Sequence, residues 1–218
     1  MKKGILGLVF GLVLCLVLPL SVQAVIINGS FETGDLTGWA AGGQAGVQSS
    51  VVFEGLYAAW IGTVDFNDDD TNDFTGEGGT EGYTNNWISQ IINVSGMASL
   101  SLYYNYYTWD FAGWDEPGFE IQINGNPVLS INAGDIDTTG DETSLDFTGW
   151  QLFTYDLTNY PFDTLTLTIY AGNTGDDIIQ SWVYIDAVRL NPIPEPSSIL
   201  LLALAGGSLL AYRLRHKK

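Results

Sequence analysis

Hydrophobic and polar residues alternate over much of the stretch 87–190. A period of two is typical of strands that bury one face. The clearest case is 99–110, and its apolar phase predicts a core-facing side made of Leu100, Leu102, Tyr104 and Tyr106. The run 119–124 alternates in the same way, and the Asn124-Gly125 pair at its end favours a type I′ hairpin turn.

Other short β-like runs are separated by turn-forming Gly, Asn, Asp and Pro residues. They lie at 25–27, 46–52, 56–62, 87–94, 127–131, 150–157, 163–170 and 181–190. The segment 65–86 contains no aliphatic residue, and it predicts a polar loop. No amphipathic helix is evident before residue 197. Many short strands between turn signals predict an all-β domain over 25–191, an antiparallel β-sandwich or barrel.

The first 24 residues have the pattern of a secretory signal peptide. Two lysines precede an apolar stretch, and small residues surround a cleavage point after Ala24. The alternative is an uncleaved anchor helix. The apolar stretch from Ile5 to Leu18 is shorter than the roughly 20 residues that a spanning helix needs.

The last part of the chain, 192–218, has three sections. A proline-spaced segment contains Pro194, Glu195 and Pro196, an apolar run covers 197–212, and a basic end follows. The apolar run predicts a single C-terminal transmembrane helix. The basic end predicts that the C-terminus of this helix lies in the cytoplasm and that the domain lies outside the membrane. Hydropathy alone fits a permanent anchor equally well.

The charge of the central domain limits its partners. Between residues 25 and 191, Arg189 is the only cation against 24 acids, a formal charge of −23. Nucleic acid is excluded as a partner, because its phosphates are bound by Lys and Arg. Cys15 lies in the leader and His216 in the tail. Disulfides, thiolate or imidazole metal sites and histidine-based catalysis are therefore excluded from the domain.

The tail resembles the PEP-CTERM sorting signal, which an exosortase recognises in Gram-negative bacteria that make extracellular polysaccharide. The resemblance covers the order, spacing and position of the Pro194-Glu195-Pro196 triplet, the apolar run and the basic end. It implies membrane insertion through the C-terminal helix and processing by an exosortase. Delivery to the cell envelope, the outer surface or the extracellular matrix follows.

Three further segments resemble the landmarks of galactose-binding-like jelly rolls, an architecture shared by many carbohydrate-binding modules. They are NGSFE at 28–32, GWQLFTYDLT at 149–158 and WVYIDAVRL at 182–190. The resemblance implies a jelly-roll sandwich. It also implies a structural calcium near the chain ends, with Glu32 and Asp186 at the matching positions.

The polar phase of 99–110 offers a candidate carbohydrate site. Tyr103, Tyr107 and Trp109 could stack on sugar rings, and Glu120 and Gln122, expected on a neighbouring strand, could bind hydroxyl groups. The alternative is an outer sheet face that is packed under a loop.

Two loops offer further candidates. Trp114 is either a sugar-stacking loop residue or a plug over the end of the sandwich. The acidic run 65–73 does not match an EF-hand loop, because other residues stand at the positions where that loop needs glycine and glutamate. We interpret this run as a solvated acidic loop. The alternative is that it binds calcium loosely.

The sequence predicts a non-catalytic protein that binds polysaccharide with structural calcium. The alternative is an acidic structural or adhesive matrix protein without a defined sugar site. A glycoside hydrolase with paired carboxylates needs no histidine, but no motif selects a pair.

Glu195→Ala tests the sorting prediction. We expect the variant to accumulate as an unprocessed, membrane-held precursor, because the triplet is what a processing enzyme would recognise. Immunoblots of membrane and medium fractions measure this. Normal release of the variant would contradict the assignment of the tail.

Overall fold

The computed structural model describes residues 25–62, 86–140, 144–172 and 180–193. The predicted leader, the sorting motif, the tail helix and nearly all of the acidic 65–86 loop lie outside these residues. In the described part, no helix is long and apolar enough to cross a membrane.

The described residues form strands and one short 3-10 helix. The strands are β1 (Ala40–Gly42), β2 (Ala45–Gln48), β3 (Ala58–Gly62), β4 (Trp87–Asn93), β5 (Met97–Thr108), β6 (Phe119–Ile123), β7 (Asn126–Ile131), β8 (Asp146–Phe147), β9 (Gln151–Asp156), β10 (Thr164–Ala171) and β11 (Ser181–Pro192). The 3-10 helix, Ala133–Asp135, follows β7.

The strands form two antiparallel sheets. Sheet A has the order β1-β4-β10-β6-β7, and sheet B has the order β2-β3-β11-β5-β8, with β9 also paired to β5. Every described pairing is antiparallel. The prediction of an all-β antiparallel sandwich is confirmed.

The core lies between the sheets and is built mainly from the apolar phases of the longer strands. Leu100, Leu102 and Tyr106 are fully buried, and Tyr104 packs partly buried against them. Sheet A contributes the apolar phases of β4, β6 and β10. Each large apolar side chain buried in this way stabilises the fold by roughly 1.5–3 kcal/mol.

Two strand predictions are wrong because side chains take over the backbone hydrogen bonds. Residues 25–27 form no strand. The Ile27 N–H donates to Gln90 Oε1 at 3.0 Å, and the Ile27 carbonyl accepts from Gln90 Nε2 at 2.9 Å. The run 46–52 stops at Gln48, whose Oε1 accepts from the N–H groups of Ser50 and Val51 and forms a turn.

The sequence also missed three short elements. β1 has three residues, β8 has two, and the 3-10 helix has three. None is long enough to show a period of two. β8 and the 3-10 helix lie between the predicted strands 127–131 and 150–157.

The hairpin between β6 and β7 confirms the type I′ prediction. Asn124 has φ 52° and Gly125 has φ 76°, so both central residues are left-handed. A Cβ at Gly125 would meet no atom within 4 Å. Substitution there would therefore affect backbone conformation alone.

We expect Gly125→Ala to lower the free energy of unfolding by about 1 kcal/mol, because an L side chain is disfavoured at positive φ. Gly125→Asn is the matched control and should cost less, since asparagine tolerates this region. Urea titration of both variants measures the difference. Equal stability of the wild type and Gly125→Ala would contradict the turn assignment.

Candidate functional site

The sandwich separates the predicted carbohydrate-binding residues onto two opposite faces. Tyr103 and Tyr107 lie on β5 in sheet B, whereas Glu120 and Gln122 lie on β6 in sheet A. The expectation that β6 neighbours β5 is wrong. The loop 109–118 carries the chain from one sheet to the other, so these two groups cannot act on one ligand.

On the outer face of sheet B, the aromatic rings pack against each other. Tyr107 stacks between Phe147 and Trp182, with ring centroids 5.3 Å away on each side. Tyr103 stacks on Phe53 at 3.5 Å. These ring faces are used inside the protein, which favours the packed alternative over sugar stacking here.

On the outer face of sheet A, one row of residues combines aromatic and polar side chains. Strand register places five residues side by side on adjacent strands: Gly42, Trp87, Tyr170, Glu120 and Ser130. Adjacent strands lie about 4.8 Å apart, so neighbouring side chains in the row are in reach of one ligand. We call these five residues the sheet A row.

Trp87 owes its position to a glycine. A Cβ at Gly42 would collide with the Trp87 indole at Nε1 and Cε2. The missing side chain lets the indole lie across β1. Trp87 and Tyr170 are both half-buried.

Glu120 is the polar centre of the sheet A row. Its carboxylate accepts a hydrogen bond from Gln122 Nε2 at Oε1 and one from Ser130 Oγ at Oε2, the latter at 3.1 Å. Only 5% of Glu120 is exposed. In the next outward-facing row, the hydroxyl groups of Ser89 and Thr168 form a hydrogen bond of 3.0 Å. The face thus offers carboxylate, amide and hydroxyl groups beside two aromatic rings.

Trp109, which was predicted on the strand run 99–110, and Trp114, which was predicted in a loop, both lie in the loop 109–118. Trp109 follows β5 and is half-buried, and its backbone N–H donates to the Gln180 carbonyl at 3.1 Å. Trp114 is 40% exposed. Its loop ends at Gly118, which hydrogen bonds to Ile131 and to Gly172 next to the sheet A row. The backbone of this loop therefore ends beside that row.

A buried polar network holds this loop in place. The Tyr106 hydroxyl donates to Ser181 Oγ at 3.3 Å, Thr108 Oγ1 lies 2.7 Å from Ser181 Oγ, and Ser181 donates to Asp115. Burial raises the pKa of Tyr106 far above its usual value, so its hydroxyl stays a donor. A Cβ at Gly118 would collide with this hydroxyl.

The predicted calcium ligands hold a different loop, residues 53–57 between β2 and β3. Asp186 Oδ2 accepts from the N–H groups of Phe53 and Glu54, both at 3.0 Å, and Oδ1 accepts from Ala187. Glu32 Oε1 accepts from the N–H groups of Leu56 and Tyr57 at 2.9 and 3.1 Å.

Burial raises the pKa of Asp186, while its three N–H donors act in the opposite direction. Calcium takes six to eight oxygen ligands, but the donors around these two carboxylates are N–H groups. In the part that the structure describes, no group of three or more acids or histidines is placed to hold a metal. The donor set thus fits a hydrogen-bonded loop clamp better than a calcium site, and calcium binding stays a prediction.

Sequence reasoning missed Trp87, Tyr170 and Ser130. Trp87 and Tyr170 lie in the polar phase of their alternating runs, 87–94 and 163–170, as Tyr107 does in its own run. An aromatic residue in the outward phase was thus the available signal. Only the register between distant strands brings them together.

No protein-family model matches the sequence, and no curated protein sequence matches it. Solved structures give matches of low identity. A TmCBM61 structure in complex with β-1,4-galactotriose has 16% identity and a TM-score of 0.44, covering 78% of this chain and 99% of that one. The non-crystalline cellulose-specific module CBM28 has 16% identity and a TM-score of 0.41, with coverages of 78% and 95%.

A third match is the CBM22-1 xylan-binding domain of Paenibacillus barcinonensis Xyn10C. It has 15% identity and a TM-score of 0.35, covering 76% of this chain and 94% of that one. Likeness at this level carries no argument about a ligand. The fold assignment rests on the strand pairings described above.

Asp186→Ala tests the clamp. Removing the carboxylate leaves one buried and two partly buried N–H groups without an acceptor, so we expect a loss of about 2–4 kcal/mol in the free energy of unfolding. The loss should be the same in calcium and in EDTA, as measured by thermal unfolding monitored by circular dichroism.

Glu32→Gln is the matched control, because a glutamine oxygen can still accept the two N–H groups. It should cost about 1 kcal/mol or less. If EDTA lowers the melting temperature of the wild type and either substitution removes that difference, calcium occupies this place.

Proposed function

We propose that this chain is a non-catalytic polysaccharide-binding protein and that it binds glycan on the outer face of sheet A. The observation that carries the proposal is the sheet A row, where Trp87 and Tyr170 adjoin Glu120. Sugar rings present C–H faces to aromatic rings, and their hydroxyl groups need polar partners. This row supplies both.

Rigid strands favour binding at this place. Trp87, Tyr170 and Glu120 lie within paired central strands of sheet A, so little side-chain and backbone ordering remains when a ligand binds. Gln122 and Ser130 fix the Glu120 carboxylate before a ligand arrives.

The acid content of the face favours binding over hydrolysis. Glu120 is the one acid at the outward positions of the described strands of sheet A. Glycosidases use a pair of carboxylates about 5–10 Å apart across the scissile bond. A single carboxylate that is held by an amide and a hydroxyl group is suited to hydrogen bonding.

We also propose that the domain is exported and sorted at the cell surface of a Gram-negative bacterium. The support is in the sequence: a leader over residues 1–24 and the Pro194-Glu195-Pro196 tail. The C-terminal helix holds the precursor in the membrane until an exosortase processes it. The cell envelope, outer surface or matrix is the expected destination.

Affinity electrophoresis against neutral and charged polysaccharides tests the binding proposal. We expect Trp87→Ala to reduce retardation by the bound polysaccharide at least about tenfold, because loss of a stacked ring removes on the order of 1.5 kcal/mol or more. Circular dichroism confirms that the variant is folded.

Phe147→Ala is the matched control, since Phe147 is 58% exposed on the opposite face in sheet B. It should leave retardation unchanged. If Phe147→Ala weakens binding and Trp87→Ala does not, the ligand binds sheet B. If no polysaccharide retards the wild type, the domain is better described as an acidic matrix protein.

A further inference from the structure

Glu120 differs from Asp186, another buried carboxylate, in what surrounds it. Asp186 accepts three backbone N–H groups. The donors that Glu120 receives in the described structure are two neutral side chains, Gln122 and Ser130. A carboxylate offers about four lone-pair sites, so Glu120 keeps acceptor capacity on the face where we place the glycan.

A positive partner for Glu120 is missing from the sequence of the domain. Arg189 is the only Lys or Arg between residues 25 and 193. It lies on β11 in sheet B and forms an ion pair with Glu54. A cationic partner for Glu120 would therefore have to come from outside the domain. A mostly buried carboxylate gains most from such a partner, because it has already lost much of its hydration.

The aromatic residues of the sheet A row favour the same kind of ligand. Tyr170 is the direct register neighbour of Glu120, and Trp87 is the neighbour of Tyr170. A cation near an aromatic face is attracted by the negative charge of the ring's π system. An ammonium group bound in the row would thus meet a carboxylate and two rings.

We infer that the glycan bound by the sheet A row carries free primary amino groups, as in a de-N-acetylated amino-sugar polysaccharide. The ammonium group donates to Glu120, and the sugar ring stacks on Trp87 or Tyr170. Uronate and sulfate sugars are disfavoured, since they bring a second negative charge to Glu120 and to a domain of charge −23. This inference rests on the proposed function and specifies its ligand.

Isothermal titration with two matched oligosaccharides tests the inference. Chitosan oligosaccharides carry free amino groups, and chitin oligosaccharides of the same length carry N-acetyl groups. We expect the chitosan series to bind at least about tenfold more tightly at low salt, and the advantage to shrink as salt is raised. Polygalacturonate should not bind.

Glu120→Gln should bring the ratio of chitosan affinity to chitin affinity close to one, because glutamine keeps the size of the side chain and loses its charge. Asp163→Asn is the control for non-specific attraction of a polycation. Asp163 precedes β10, at the end of sheet A opposite the row. The substitution removes one negative charge, as Glu120→Gln does. It should retain the preference.

The outcomes separate this inference from the proposed function. If chitin or another neutral glycan binds in a Trp87-dependent way without preference for amino groups, the proposed function stands and this inference is overturned. Equal effects of Glu120→Gln and Asp163→Asn also overturn it, since binding is then general electrostatics. If no glycan of either series binds and no neutral polysaccharide does, the proposed function itself fails.

Discussion

The long pairing between β5 and β11 is the interaction on which two loops of this sandwich, 53–57 and 109–118, depend. The two twelve-residue strands form the centre of sheet B, and their inner residues supply much of one half of the core. Outside that core, β11 holds a loop at each of two points. Ser181, at its start, binds Asp115 of the loop that borders the sheet A row. Asp186, at its middle, binds the N–H groups of the 53–57 loop.

The strand pattern reveals which side chains face inward and says much less about which face they share. Leu100, Leu102 and Tyr106 could be placed in the core from their spacing alone, and Asn124-Gly125 could be placed in a tight turn. Tyr107 and Glu120 are both outward-facing, but they lie on opposite sides of the sandwich. The alternation of hydrophobic and polar residues does not indicate to which sheet a strand belongs. That choice depends on the path of the 109–118 loop, which is fixed by buried contacts between distant residues.

Side chains that replace backbone partners account for most of the remaining differences. Gln90 satisfies Ile27 in place of a strand neighbour, and Gln48 ends its own strand by binding Ser50 and Val51. Asp186 and Glu32 do the same for the 53–57 loop. The resemblance to jelly-roll modules suggested a cation at these two acids. Their observed partners are N–H groups, which is a different way to hold the same loop against the sheet.

The two ends of β11 have a geometric consequence for a protein that is attached through its tail. The chain leaves the sandwich at Pro192 and Ile193, beside Gly96 and the start of β5. The sheet A row lies near the other end of β11, where Ser181 meets the 109–118 loop. Twelve strand residues span roughly 35–40 Å. A domain tethered by its C-terminus, as we propose for the precursor, would therefore have its attachment point at one end of the sandwich and Trp87, Tyr170 and Glu120 near the other end.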